Sequence, residues 1–193
     1  MREKEILSDL VLGLLRFVGL VNAAAWLGAA LFFTVAVAPA FFHDTMLNLF
    51  GGVQAPYSRA RAGLAAIFVM ERYFWWLQIC GVIAVLQALA ESAYQGLSWR
   101  QSRNLLAMGL LMLCLAGAWG VHPILKKLHA ARYDPRAKPE QVEMAARSFR
   151  LWHGISQGAN LLLAAGLVVF FWKTATPRPR PIHGPPNPFS YRD

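Results

Sequence analysis

The sequence predicts an all-α fold, a bundle of four transmembrane helices, and three observations carry that prediction. The 193-residue chain is 56% hydrophobic and 15% charged, against about 45–50% apolar and about 25% charged in soluble domains. Its apolar residues fall into four blocks, at about residues 18–42, 73–94, 104–125 and 151–172, each near the roughly 20 residues that cross a hydrocarbon core about 30 Å thick. Aromatic side chains gather at several block ends, as in Tyr73-Phe74-Trp75-Trp76, Trp99, Trp152 and Phe170-Phe171-Trp172, where amphipathic rings anchor at headgroup level.

The first block follows a charged N-terminus (Arg2, Glu3, Lys4, Glu5, Asp9) and an apolar lead-in interrupted by Arg16. It reads as a retained helix rather than a signal peptide. Its apolar run exceeds a signal-peptide core, and the candidate cleavage site Ala36-Val37-Ala38 is followed by Pro39, which signal peptidase does not accept. The helix is expected to end between Pro39 and Phe42. Residues 43–72 hold Gly51-Gly52, Pro56 and an amphipathic run from Arg59 to Met70, which either lies on the membrane surface or extends the second helix. The second and third helices join tightly through Gly96 to Arg103. The connection from Lys126 to Arg150 carries seven basic against three acidic residues, with turn signals at Asp134-Pro135 and Lys138-Pro139.

Small residues inside the blocks (Ala23 to Ala25 with Gly28, Ala29 and Ala30; Gly109 with Ala116, Gly117 and Gly120; Gly154 with Gly158) are expected to let helix backbones approach, because hydrocarbon supplies no hydrophobic push between helices. From Thr174 onward, six prolines in twenty residues and no apolar periodicity predict an extended, disordered, basic tail. The domain organisation is then one membrane domain, residues 1–173, and a Pro-rich tail, residues 174–193, which reads as solvated chain rather than a docking peptide.

The formal charge of +9 comes from Lys and Arg placed between and outside the apolar blocks, so it points to lipid headgroups and topology rather than nucleic acid. No nucleic-acid-binding motif is present. Four crossings put both termini and the tight second-to-third connection on one side, and the two longer connections on the other. Basic residues number about eight on the first side and about ten on the second, so their count does not orient the protein. Arg2, Lys4 and Arg16 before the first helix and Asp44 after it favour cytoplasmic termini.

The sequence contains no HExxH, GxSxG, P-loop or GxGxxG, and its carboxylates are few and peripheral, so no hydrolase or phosphate-binding class is supported. Polar residues inside the blocks are the features that remain. His153, Gln157 and Asn160 are spaced by four and three in the fourth helix, which places them on one face, with Ala164, directed at the bundle. The first helix offers Asn22, Trp26, Ala29, Phe33 and Val37 at similar spacing, and the second offers Gln78 and Gln87. Such residues mark interhelical hydrogen bonds or a substrate path, and hydrogen bonding is the default. Arg16 and Glu91 are the deepest charges, both on the terminal side, and an ion pair between them is expected. Glu71 and Arg72 with Arg147 and Arg150 form a second charged group beside His153, read as solvated surface. Cys80 and Cys114 read as packing residues, with a disulfide or metal pairing as the alternative.

Alternating helix direction brings His43, His122, His129 and His153 to one membrane face. No two share a spacing of three or four, so interfacial histidines bonded to backbone, headgroup or water are the default and no cofactor is expected. Haem b or copper held by His43, His122 and His153 is the alternative, since imidazole nitrogen suits both.

Trp26-Leu27-Gly28-Ala29-Ala30-Leu31-Phe32-Phe33 followed by Ala38-Pro39-Ala40-Phe41-Phe42, and Phe149-Arg150-Leu151-Trp152-His153-Gly154-Ile155-Ser156 continuing to Asn160, resemble the four-helix membrane family called domain of unknown function 4149, similar to transmembrane protein 205. The resemblance spans about residues 18–172. It implies Trp26, Gly28, Pro39, His153, Gln157 and Asn160 as structural residues of the family motif, no settled activity, and a place in the bacterial cytoplasmic (inner) membrane. More distantly the chain looks like copper resistance protein D and the bacterial membrane protoporphyrinogen oxidase. That oxidase carries a histidine in its first helix upstream of the tryptophan, whereas Phe17 to Ala25 contains none.

Three function classes follow. The leading one is a non-enzymatic integral membrane protein whose partner is the lipid bilayer. The second is a haem- or copper-binding redox or transport protein. The third is an accessory subunit that packs against a larger membrane protein or a second copy of itself.

Overall fold

The computed structural model describes residues 2–55 and 57–176, with side chains from residue 6 onward, and all regular structure among them is helical. Helix α1 covers residues 2–40, including a π-helical stretch at Phe33–Val37. A short α2, Asp44–Leu49, is followed by α3, Ser58–Tyr94. Helix α4, Ser102–Arg132, contains a second π-helical stretch at Ala116–Val121, and α5 is Pro139–Ala175. Helices α1, α3, α4 and α5 are each long and apolar enough to cross a membrane. The protein is a multi-pass integral membrane protein.

Cross-helix pairs fix an up-down-up-down bundle. Arg16 meets Glu91, Asn22 meets Cys80, and Phe33 meets Tyr73, so α1 and α3 run antiparallel. Glu91 with Arg103 and Glu71 with Lys126 set α3 against α4 in the same way. Ser102 with Lys173 and His129 with Phe149 do so for α4 and α5, and Thr34 with Asn160 closes the ring between α5 and α1.

The helices extend beyond the apolar blocks. The second begins at Ser58 rather than near residue 73, so the Arg59 to Met70 run is an extension of α3 and not a separate surface helix. The fourth begins at Pro139 rather than near residue 151, and the third continues to Arg132. At 37 residues, α3 and α5 are each about 55 Å long, more than the roughly 40–45 Å of a bilayer with its headgroups. Their histidine-side turns therefore stand at or beyond headgroup level. Polar residues do not stop a helix in water; proline, glycine and capping do. Pro139 occupies the first turn of α5, where its missing N–H costs nothing, and Gln141 Oε1 accepts from the Lys138 backbone N–H at 3.1 Å. At the other side, α3 ends on Gly96 with φ of 65°. Leu97 N–H bonds Ser92 O at 2.8 Å and Gly96 N–H bonds Ala93 O at 3.1 Å, the paired closure that a left-handed glycine permits.

Both π-helical stretches lie just before a proline, Pro39 in α1 and Pro123 in α4. A proline inside a helix removes one hydrogen bond and crowds the carbonyl four residues back. Widening the preceding turn by one residue relieves that crowding and lets the helix continue. The two widened turns face the same end of the bundle.

The core packs Trp26, Leu77, Cys80, Ala84, Leu110 and Cys114 with Leu163, Leu167 and Phe170. Trp26 meets Phe170 edge-on, ring centres 6.1 Å apart and planes at 72°. Close backbone approach occurs at other glycines than several of those singled out from sequence. At Gly28, Gly109, Gly120, Gly154 and Gly158 a Cβ would have no described neighbour within 4 Å, whereas at Gly63 it would collide with the His129 ring. Residues 174 and 175, assigned from sequence to the tail, belong to α5; the predicted tail from residue 177 onward lies outside the described residues.

Candidate functional site

A cavity of about 500 Å³ opens among the long helices on the histidine side, walled by both widened turns. That volume lies in the range of small-molecule sites, about 300–1,000 Å³. Its walls are largely apolar, including Phe33, Phe42, Met70, Phe74, Leu77 and Leu163, and its polar groups come mainly from α5: His153, Ser156, Gln157 and Asn160. No Asp, Glu, Lys or Arg lines it among the described residues. The His153, Gln157, Asn160 stripe thus faces this cavity. Gln157 Nε2 lies 3.2 Å from His153 Nε2, and the His153 ring stacks on Phe149, centres 5.7 Å apart.

Asn160 joins three helices. Its Nδ2 donates to Thr34 Oγ1 at 2.7 Å, Thr34 Oγ1 in turn donates to Ala30 O at 2.7 Å, and the Tyr73 hydroxyl donates to Asn160 Oδ1 at 3.2 Å. Tyr73 is held by a parallel stack on Phe33, centres 4.0 Å apart. Thr34 escaped the sequence reading, and Tyr73, read there as a headgroup-level anchor, instead turns its hydroxyl to Asn160. Thr34 sits in the widened turn, and straight-helix spacing misplaces a residue there by about a third of a turn.

A second cavity, of about 410 Å³, adjoins the first and shares Phe42, Ala66, Met70 and His153 with it. Arg59, His122, His129 and Arg132 stand on its walls. His122 is 7% and His129 6% exposed. Both nitrogens of His122 and Nε2 of His129 lack a hydrogen-bond partner among the described residues. Glu71 Oε1 lies 3.7 Å from His122 Nε2 but is engaged by Lys126 Nζ at 2.8 Å. His129 is able to sit so deep because Gly63, on the facing turn of α3, has no side chain there.

The remaining sequence candidates fall elsewhere. His43 caps α2, its Nδ1 accepting from the Thr45 N–H at 3.3 Å, and lines neither cavity. Among the described residues no three His, Cys, Asp or Glu side chains gather into one ligand set. Cys80 and Cys114 are buried free thiols. Arg147 pairs with Glu143 at 2.6 Å and Arg72 lies over the Phe68 ring, so the charges near His153 do not form one group with Glu71. Trp26 is core, Gly28 is exposed, and Pro39 lines the first cavity. Gln78 accepts from Trp119 Nε1 at 3.2 Å, and Asn22 Nδ2 donates to Cys80 O at 2.9 Å.

On the terminal side, Arg16 Nε stands 3.3 Å from Glu91 Oε1, but the shorter ion pair is with Arg103, Nη1 to Oε2 at 2.5 Å. Gln87 Nε2 and Gln95 Nε2 also donate to Glu91, at 3.0 and 3.1 Å. Arg103 escaped the sequence reading, although the tight turn between them folds Glu91 and Arg103 onto facing helix ends.

A family model described as a domain of unknown function (DUF4149) matches residues 21–134. No curated protein and no solved structure matches the chain. The match takes in both widened turns, Thr34, Tyr73, His122 and His129, and ends before α5.

Proposed function

From a chain that belongs to the domain of unknown function 4149 family, a description that carries no activity, we propose a non-enzymatic membrane protein that holds an amphipathic small molecule between its helices. The observation that carries this proposal is the first cavity: apolar walls, one polar stripe, and a volume of about 500 Å³. Pockets of that make-up bury a ligand by its apolar surface and orient it by a few polar groups. The largely apolar make-up of its described walls, with polar groups confined to one stripe and a few neighbours, supports binding of an amphipathic molecule. The expected setting is a bacterial cytoplasmic membrane with both termini inside, supported by Arg2, Lys4 and Arg16 ahead of the apolar stretch of α1 and Asp44 after that helix. The chain through Ala175, where α5 ends, acts as one membrane domain ahead of the Pro-rich tail.

Ala66 lies on both cavities and is only partly buried, so Ala66→Phe puts a ring into the ligand's space. Organic extraction and mass spectrometry of purified protein are expected to find a stoichiometric amphiphile, reduced about tenfold in Ala66→Phe at unchanged helical content, the equivalent of about 1.4 kcal/mol of lost affinity. Protein that carries nothing in either form refutes the proposal. A Soret band or bound copper in the same preparation favours a redox protein instead, and a stoichiometric protein partner favours an accessory subunit. For the topology, a membrane-impermeant maleimide applied to intact cells should label Gln54→Cys and leave Ser98→Cys unlabelled; the reverse pattern places the termini outside.

A further inference from the structure

We infer that the molecule held between the helices is an anionic amphiphile, its hydrocarbon chain in the first cavity and its carboxylate or phosphate head in the second, among Arg59, Arg132, His122 and His129. This rests on the binding role proposed above and adds the ligand's charge and direction.

Two independent observations point to a head group in the second cavity. The first is unmatched positive charge. Arg59 and Arg132 stand on its walls, no Asp or Glu lines it among the described residues, and neither arginine has a carboxylate within ion-pair distance there. Arg132 lies over its neighbour's ring, Cζ 5.2 Å from the Tyr133 centre. The second is the pair of buried histidines. His122 and His129 are more than nine-tenths buried and line the cavity; among the described residues His122 Nδ1 and His129 Nε2 have no hydrogen-bond partner, the latter packed against Gly63, while His122 Nε2 lies 3.7 Å from Glu71 Oε1, itself held by Lys126. A buried polar atom left unpaired loses its hydration without compensation, so native proteins rarely leave one without a partner. An oxyanion supplies acceptors for imidazole N–H groups and guanidinium donors together.

The two cavities also run in the right order. Along α3 the second cavity touches Arg59, Gly63, Ala66 and Met70, and the first touches Ala66, Met70, Tyr73 and Leu77. From Arg59 to Leu77 the rise is about 27 Å. An amphiphile lying along this helix keeps its head in the extended, headgroup-level turns and its chain among Met70, Phe74 and Leu77. Polarity falls along that path as it does from the interface to the middle of a bilayer.

The test measures binding of palmitate, palmitoyl lysophosphatidate and hexadecanol to the full chain in maltoside detergent. Hexadecanol has the hydrocarbon chain without the charge. One charge-assisted hydrogen bond contributes about 1.5–3 kcal/mol, so at least one anionic amphiphile is expected to bind about tenfold or more tighter than hexadecanol. Whichever of the two anions binds tighter identifies carboxylate or phosphate as the head. Arg59→Gln with Arg132→Gln should abolish that preference and leave hexadecanol binding unchanged, while Arg59→Lys with Arg132→Lys should keep most of it. Retained hexadecanol binding also shows that the Gln variant is folded. If the wild-type chain binds all three ligands equally, or the Gln variant keeps its preference, the anionic head is refuted and the cavity's binding role stands. Binding of none of the three refutes both.

Discussion

Glu91→Gln is expected to lower the unfolding free energy by about 3 kcal/mol in an SDS titration of the purified protein, the loss that follows when a buried charge is left without its partner. Glu91 is 2% exposed and the Arg103 side chain 4%, so neither has water to fall back on. The four donors divide evenly: Arg16 and Gln95 address Oε1, and Arg103 and Gln87 address Oε2. An amide keeps one acceptor oxygen and turns the other position into a donor, so two of the four donors meet an N–H whichever way the amide is placed. If Arg103 is the loser its guanidinium stays buried and charged, because arginine does not deprotonate. Glu91→Gln combined with Arg103→Met should recover a large part of the loss, since an apolar replacement of a whole buried pair is often near neutral. Arg16→Gln should cost no more than about 1 kcal/mol, as the Arg16 side chain is 39% exposed and stands at 3.3 Å. An undiminished Glu91→Gln protein, or equal losses on removing Arg16 and Arg103, defeats the assignment of Arg103 as the principal partner.

The pattern of what was legible in the sequence follows from the physics of the bilayer. Four crossings were readable because a span must satisfy its backbone internally over a fixed thickness, which forces long apolar runs. Where a helix ends in water is a different question, and apolar content says nothing about it. Residues 58–72, which mix apolar residues with Arg59, Arg61, Glu71 and Arg72, and the polar residues 139–150 are helical because the next stop signals lie further out, at Gly52 and Pro139. These same water-level turns carry Arg59, Gly63 and Phe149, so the second cavity was hidden together with the helix ends that form it. The polar stripe on α5 was readable because α5 is regular and its spacing holds. Its partner Thr34 was not, since the widened turn before Pro39 breaks the period of α1, and Tyr73 was read as a headgroup-level anchor because its place at the start of an apolar block does not show that its hydroxyl turns inward to Asn160. The charge on Glu91 was readable, but its choice of Arg103 over Arg16 depends on the geometry of the Gly96 turn.

Trp26→Ala is expected to cost about 3 kcal/mol in the same titration, the lower end of the range for removing a large aromatic from a packed core. The lower end applies because a lipid-solvated chain already has apolar surroundings, so the loss is packing against neighbours rather than transfer from water. Those neighbours are specific: the Phe170 edge at 6.1 Å, and the Gly81 backbone, where a Cβ would stand 3.2 Å from the Trp26 ring. Trp26 is 0% exposed, and a void there separates α1 from both α3 and α5. Trp26→Phe separates packing from hydrogen bonding. The indole N–H faces the Cys114 thiol without a hydrogen bond of standard geometry, so phenylalanine gives up volume but also removes an unpaired donor. It should cost about 1 kcal/mol or less. Equal losses for the two variants would mean that the indole N–H contributes a bond and that ring volume is secondary. A small loss for Trp26→Ala would mean that the helices close around the void, leaving the Asn160 network and the Glu91 ion pair to hold the bundle together.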